Sequence, residues 1–193
     1  MARLLVKLLE LLGGLLATQA SRQALIEAGA PPDTQMLGVE TLRFGSSYDR
    51  QAEELRKRSD ICDFVASQVG KPYHLGVEVP TTDDSPAEWD CSELTENAYR
   101  RAGIELPDGS NYQYDFCRPV NEPQGGDLGF VWSESWGRIG HVVVYMGDGS
   151  CVEARGKPAS RVQRIARADW EQHPRWRGWR RHPDFMRPKE DRA

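Results

Sequence analysis

Several features are scarce in this chain, and each scarcity excludes something. There are four cysteines in 193 residues, Cys62, Cys91, Cys117 and Cys151, and none form a C-x-x-C pair. The four histidines show no zinc-ligand spacing, so no structural metal is expected. So few cysteines in a chain this long do not make a disulfide framework, and they read as free thiols. No internal repeat is present. No apolar run is both long enough and free enough of charge to span a bilayer. A net charge of -4 gives no overall pull toward nucleic acid. Basic residues do gather toward the C-terminus, from Arg155 to Arg192. Such an end could meet a polyanion such as teichoic acid, or form a solvated, salt-bridged surface, and the second reading is favoured.

What remains is the composition of a soluble globular protein, 28% charged and 39% hydrophobic. The length suits one domain with an appendage. Three regions are expected: an N-terminal helical extension over 1–46, a core over 47–156, and a basic Trp/Arg-rich tail over 157–193. Arg3 to Ala17 is leucine-rich, but Lys7 and Glu10 interrupt it as a signal peptide rarely tolerates. The spacing predicts an amphipathic helix with a wide apolar face. That face must be covered by its own domain, by another protein or by a membrane surface. A second helical stretch, Ser21 to Ala28, ends at the Gly29-Ala30-Pro31-Pro32 break. In the tail, Trp170, Trp176 and Trp179 are expected to pack on the core rather than to bind sugar.

Within the core, Asp49 to Val69 reads as a helix stopped by Gly70-Lys71-Pro72. A loop follows from Gly76 to Trp89. A second helix starts at Asp90-Cys91-Ser92-Glu93, where Asp90 is the N-cap and Glu93 completes a capping box, and Gly103 stops it. Gly125 to Trp132 reads as a strand. His141 to Met146 and Ser150 to Ala154 read as a hairpin with its turn at Gly147-Asp148-Gly149. Helices leading into an antiparallel sheet give an α+β class.

Cys91 carries the sharpest chemistry. It stands in the first turn of its helix, where unpaired N–H groups and the helix dipole favour a thiolate. Those N–H groups also suit an oxyanion. A small buried cysteine on a helix is the plain alternative. His141, read as the start of a strand opening on a cleft, would be its base. Glu153 is the candidate to orient the imidazole, and hairpin arithmetic tests it. A two-residue turn would send His141 and Glu153 to opposite faces. A three-residue turn, with Gly149 left-handed, would make them diagonal neighbours on one face. The alternative for Glu153 is a solvent-facing strand residue.

Five segments in order resemble the NlpC/P60 family of cell-wall peptidases. Gly70 to Gly76 resembles its G-x-P-Y-x-x-G, and Asp90-Cys91-Ser92-Glu93-Leu94 its D-C-S-G-L. Ala102-Gly103-Ile104-Glu105-Leu106-Pro107 resembles A-G-I-x-L-P, Gly126-Asp127-Leu128 the G-D-L, and Gly140 to Gly149 the H-V-G-I-Y-x-G-x-G segment. The resemblance covers roughly residues 58 to 156. It implies a papain-like core, no cofactor and a Cys–His–polar triad. It also implies cleavage of stem peptides of peptidoglycan, often between D-γ-glutamate and a diamino acid. Tyr73, Asp90 and Ser92 match positions lining the family's substrate cleft, where acidic residues would suit a free amine.

Three departures stand out. Glu93 replaces a glycine, Glu153 stands where histidine is commoner, and the Gly76–Trp89 loop is longer than usual. Val152 to Gly156 resembles phage-borne members. Together with the leucine-rich helix and the lack of a clear signal peptide, that points to a phage tail or lysis component docking on tail proteins through the helix. It would act on the cell wall, virion-associated or secreted to the periplasm, without a transmembrane segment. The competing readings are an amidase or acyltransferase on the same core, and a non-catalytic structural or binding module of a virion.

Overall fold

The computed structural model describes residues 32–186. The leucine-rich helix, the Ser21–Ala28 stretch and the last arginines of the tail lie outside the described residues. The chain divides into two units, Met1–Glu54 and Leu55–Ala193, and in the first the described residues are helical.

Helix α1 runs Pro32–Ser67. Proline suits a first helical residue, where a missing N–H costs no hydrogen bond. The predicted start at Asp49 is thus too late. Gly38, Thr41, Gly45, Ser46 and Ser47 are weak helix formers, and nothing in their pattern announces a helix. In the second unit, its last turns bury Ile61 and Val65 completely.

Helix α2, Cys91–Arg101, is the central helix and is buried along most of its length. Asp90 Oδ1 caps it by accepting the Glu93 N–H at 2.8 Å. The capping box is only half formed: Glu93 Oε2 accepts from the Val79 N–H at 3.0 Å and not from Asp90. The side chain that departs from the family's glycine therefore anchors the long 76–89 loop to α2. A buried polar network fixes the helix start further, with Thr95 Oγ1 donating to Gln113 Oε1 and Gln113 Nε2 donating to the Ser92 carbonyl. Gln113 lies on α3, Ser110–Phe116.

Six strands follow: β1 Arg118–Val120, β2 Leu128–Ser133, β3 Arg138–Tyr145, β4 Ser150–Arg155, β5 Arg161–Ala166 and β6 Trp176–Arg181. A short helix α4, Arg167–Glu171, links β5 to β6. All neighbours are antiparallel, in the order β1-β6-β2-β3-β4-β5. Residues 161–181 are therefore not a tail laid on a finished core. They supply two strands of the sheet, one of them inserted between β1 and β2.

Alternation along the strands gives each face its own apolar set. Leu128, Phe130, Val142, Val144, Val152, Ala154 and Val162 cluster with Leu94, Ala98 and Tyr99 of α2. Val131, Val143, Tyr145 and Cys151 cluster with Trp170 and Trp179, and Trp176 packs against them. Trp170 and Trp179 are buried here, and Trp176 is half-buried against them. Gly129 makes this possible, because a Cβ there would run into the rings of Trp176 and Trp179.

The G-D-L segment has a structural task. Asp127 has no exposed surface. It accepts from Arg58 Nη1 at 3.0 Å, from Arg181 Nη2 at 2.7 Å and from the Gln124 N–H at 2.8 Å. One carboxylate thus ties α1, β2 and β6 together. Asp127→Ala would remove the buried anion that both guanidiniums share. It is expected to destabilise the protein by about 3–5 kcal/mol in urea unfolding. A loss below about 1 kcal/mol would mean that the cluster is not a keystone of the fold.

Candidate active site

The hairpin takes the odd alternative. Three residues, Gly147 to Gly149, separate Met146 from Ser150, and the Met146 N–H donates to the Ser150 carbonyl at 2.9 Å. Gly147 and Gly149 have φ of 85° and 86°, which side chains disfavour. Tyr145 pairs with Cys151 and Val144 with Val152. His141 and Glu153 accordingly share the face of Val143, Tyr145 and Cys151. His141 Nε2 meets Glu153 Oε2 at 2.6 Å.

His141 lies inside β3 rather than at its start. Val131 pairs with His141 but Trp132 pairs with Ile139, so Gly140 is the extra residue of a bulge. A Cβ at Gly140 would collide with Ser133 and crowd Trp136. The glycine before the histidine thus lets the strand kink and aim the ring.

Glu153 is 1% exposed. Gln163, its partner across β4 and β5, donates to Oε1 at 2.8 Å. Trp170 Nε1 donates to Oε2 at 3.0 Å. Arg155 Nη1 lies 3.6 Å from Oε1. Burial pushes this carboxyl up, but the His141 bond and charge, with Gln163 and Arg155, outweigh it and hold it below the usual range. For His141, burial pushes the imidazole down, and its interactions with Cys91 and Glu153 reverse this and carry it well up. Cys91, buried at the start of α2, is one of the two groups that hold the imidazole up. With Nε2 on the carboxylate, Nδ1 is the nitrogen left for the thiol.

All four cysteines are free. Burial pushes the Cys62 thiol up to about 11, and the Cys117 and Cys151 thiols up to about 12. The three are inert positions by environment.

The residues matched to the substrate cleft divide. Tyr73 is half-buried. Burial pushes its hydroxyl up to about 12, with the neighbouring Cys91 and Asp90 adding to the effect. Asp90 is buried and largely committed: Oδ1 accepts from the Ser92 hydroxyl at 3.1 Å and from the Glu93 N–H, and Oδ2 from the Gly76 N–H at 3.3 Å. Ser92 donates to Asp90 in turn. Gln163, Arg155 and Trp170 were missed in the sequence, since all lie at or beyond the end of the motif region.

Among the described residues, Glu93, Glu96 and Asp108 bring carboxylate oxygens within 4.8 Å of one another, the one such cluster able to hold a cation. They line a pocket of about 330 Å³ with Glu78, Val79 and Arg100, and Arg100 sits 3.6 Å from Glu96. Burial pushes Glu93 from 4.5 up to about 7; the Val79 bond opposes this, and Glu96, Asp90 and Glu78 add to it. Between those values the folded state binds the extra proton, so this group costs stability as pH rises from 4.5 to about 7. Glu93→Gln keeps an acceptor for Val79 and removes the titration. Its Tm relative to wild type is expected to rise between about pH 4 and about pH 8. A Tm difference that stays flat over that range would refute the assignment.

A thiol at a helix start, facing an imidazole–carboxylate pair on an antiparallel sheet, defines a papain-like α+β core. Residues 70–178, more than half of the chain, match the model of the NlpC/P60 family, and the chain belongs to that family. It is 27% identical over 142 residues to murein DD-endopeptidase MepH of Escherichia coli, covering 70% of this chain and 51% of MepH. Two solved structures share the fold. The peptidoglycan hydrolase RipB of Mycobacterium tuberculosis has a TM-score of 0.54 at 25% identity, over 82% of this chain and 76% of RipB. An NLP/P60 family protein of Staphylococcus aureus has 0.52 at 31% identity, over 65% of this chain and 41% of that one. The chain spans about half, or less, of the length of the curated relatives it matches first. No described helix is long and apolar enough to cross a membrane.

Proposed function

We propose that this chain hydrolyses an amide bond in the stem peptides of peptidoglycan, with Cys91 as nucleophile, His141 as acid–base and Glu153 as the group that orients the imidazole. The observation that carries this reading is the buried His141–Glu153 pair, joined at 2.6 Å, with Cys91 at the start of α2 acting on the same imidazole. Family membership and the resemblance to a murein endopeptidase and a peptidoglycan hydrolase supply the substrate class.

The chemistry follows from the geometry. The Cys91 sulfur attacks the scissile carbonyl carbon as a thiolate, its proton held on His141. The Glu153 charge stabilises the imidazolium and keeps its ring in one orientation. The C–O π pair moves onto oxygen, where the Cys91 N–H, which α2 cannot bond internally, donates to the oxyanion. Collapse of the intermediate breaks the C–N bond, and the imidazolium proton goes to the departing amine. A thioester remains. Neutral His141 then takes a proton from water, the hydroxide attacks the thioester carbonyl, and the acid product leaves as the thiolate–imidazolium pair re-forms. Tyr73, matched to the substrate cleft by the family resemblance, is assigned to binding, while Asp90 and Ser92 act through their mutual bond to fix the start of α2.

Two measurements test this. Mass spectrometry of purified muropeptides after incubation is expected to show a new free amine and acid with wild type, and intact muropeptides with Cys91→Ala. Turnover by Cys91→Ala would end the proposal. Alkylation by iodoacetamide at mildly acidic pH is expected to modify Cys91 roughly tenfold or more faster than Cys62, Cys117 or Cys151. Equal rates at Cys62 and Cys91 would favour a binding module instead.

A further inference from the structure

The C-terminal segment contributes more to this site than packing. Trp170, on α4, is 5% exposed. Its indole N–H reaches the same oxygen of Glu153, Oε2, that receives His141 Nε2. Its ring also lies against the imidazole, with centroids 5.2 Å apart and planes at 43°. The Arg155 guanidinium lies 4.9 Å from the Trp170 ring centroid, and the His173 ring is 5.2 Å away. Trp170 therefore touches both members of the pair.

Physical chemistry gives this double contact a consequence. An ionised carboxylate accepts only, and one buried this deeply needs a donor at each oxygen. Gln163 serves Oε1, and the indole serves Oε2 alongside the imidazole. The indole N–H is a donor with no acceptor role, so it cannot turn to offer Glu153 a lone pair. Its ring is rigid, with two torsions, and packs tilted against the imidazole.

We propose that Trp170 is a positioning residue for the His141–Glu153 pair, fixing the carboxylate through its N–H and the imidazole through its ring. This rests on the reading of Cys91, His141 and Glu153 as the catalytic set. Its effect is expected on kcat, because Trp170 is buried and acts directly on those two side chains.

The test uses Trp170→Phe, which keeps an aromatic ring and removes the N–H. Loss of a hydrogen bond to a charged group is expected to lower kcat roughly 10- to 100-fold with KM within about twofold. The low-field proton resonance of the His141 Nε2–H is expected in wild type and broadened in Trp170→Phe, a signature that loss of packing elsewhere would not produce. The wild-type protein supplies a second readout that needs no variant. Two donors sharing one oxygen must give a nuclear Overhauser effect between the Trp170 indole proton and the His141 Nε2–H. Wild-type kcat and an unchanged resonance in Trp170→Phe would overturn the inference, as would absence of the Overhauser effect should that variant not fold. Turnover by Cys91→Ala would instead overturn the reading of the site on which the inference stands.

Discussion

The carboxylate of Glu153 is the group the rest of this architecture answers to. A charge buried in a sheet is costly, with a desolvation penalty of several kcal/mol even after relaxation. It persists only where donors surround it. Here they come from four places: His141 on β3, Gln163 on β5, Trp170 on α4 and Arg155 at the end of β4. The imidazole sits on a strand next to the turn that sets its parity with Glu153. The other two principal donors require the chain to return after Gly156, add a strand and turn into a helix. The segment after the last motif is therefore part of the site, and its strand β6 also completes the sheet between β1 and β2.

The two faces of that sheet divide the labour. On one side α2 carries the thiol among the largest apolar set, so its start is held by packing, by the Asp90 cap and by the Gln113 network. On the other, three tryptophans cover β2, β3 and β4 where a two-layer fold would leave them bare. The two contributions meet at His141. A change on either face can move one partner relative to the other, which ties the precision of the site to the packing of the whole unit.

Much of this was legible in the sequence, for definable reasons. The helix start at Asp90 and its stop at Gly103 follow from local capping chemistry. The pairing of His141 with Glu153 follows from counting residues through one glycine-rich turn. What escaped depended on distant partners. Residues 176–181 read Trp-Arg-Gly-Trp-Arg-Arg, half of them charged, which hydropathy reads as a polar tail. In the fold, Arg181 binds the buried Asp127, and Arg180 lies 3.5 Å over the Tyr114 ring while donating to the Cys117 carbonyl. Those contacts turn charged positions into strand positions, and no window of sequence contains both ends of them. Glu93 escaped for the same reason. Its spacing from Asp90 fits a capping box, but Val79, fourteen residues upstream, wins the carboxylate.

The same accounting explains why the third position holds glutamate here, where the family more often has histidine. A neutral imidazole offers one donor and one acceptor. Placed at 153, it would have to serve His141 with its acceptor nitrogen, and its N–H would point at side chains that also donate. Gln163 through its amide, the Trp170 indole and the Arg155 guanidinium are all donors as oriented. A group with two accepting oxygens satisfies them and His141 together, and a negative one also suits the neighbouring guanidinium. The identity of residue 153 is thus set less by the reaction than by the donor-rich wall that β5 and α4 build behind it. In a member with histidine at this position, at least one of those donors should be replaced by an acceptor.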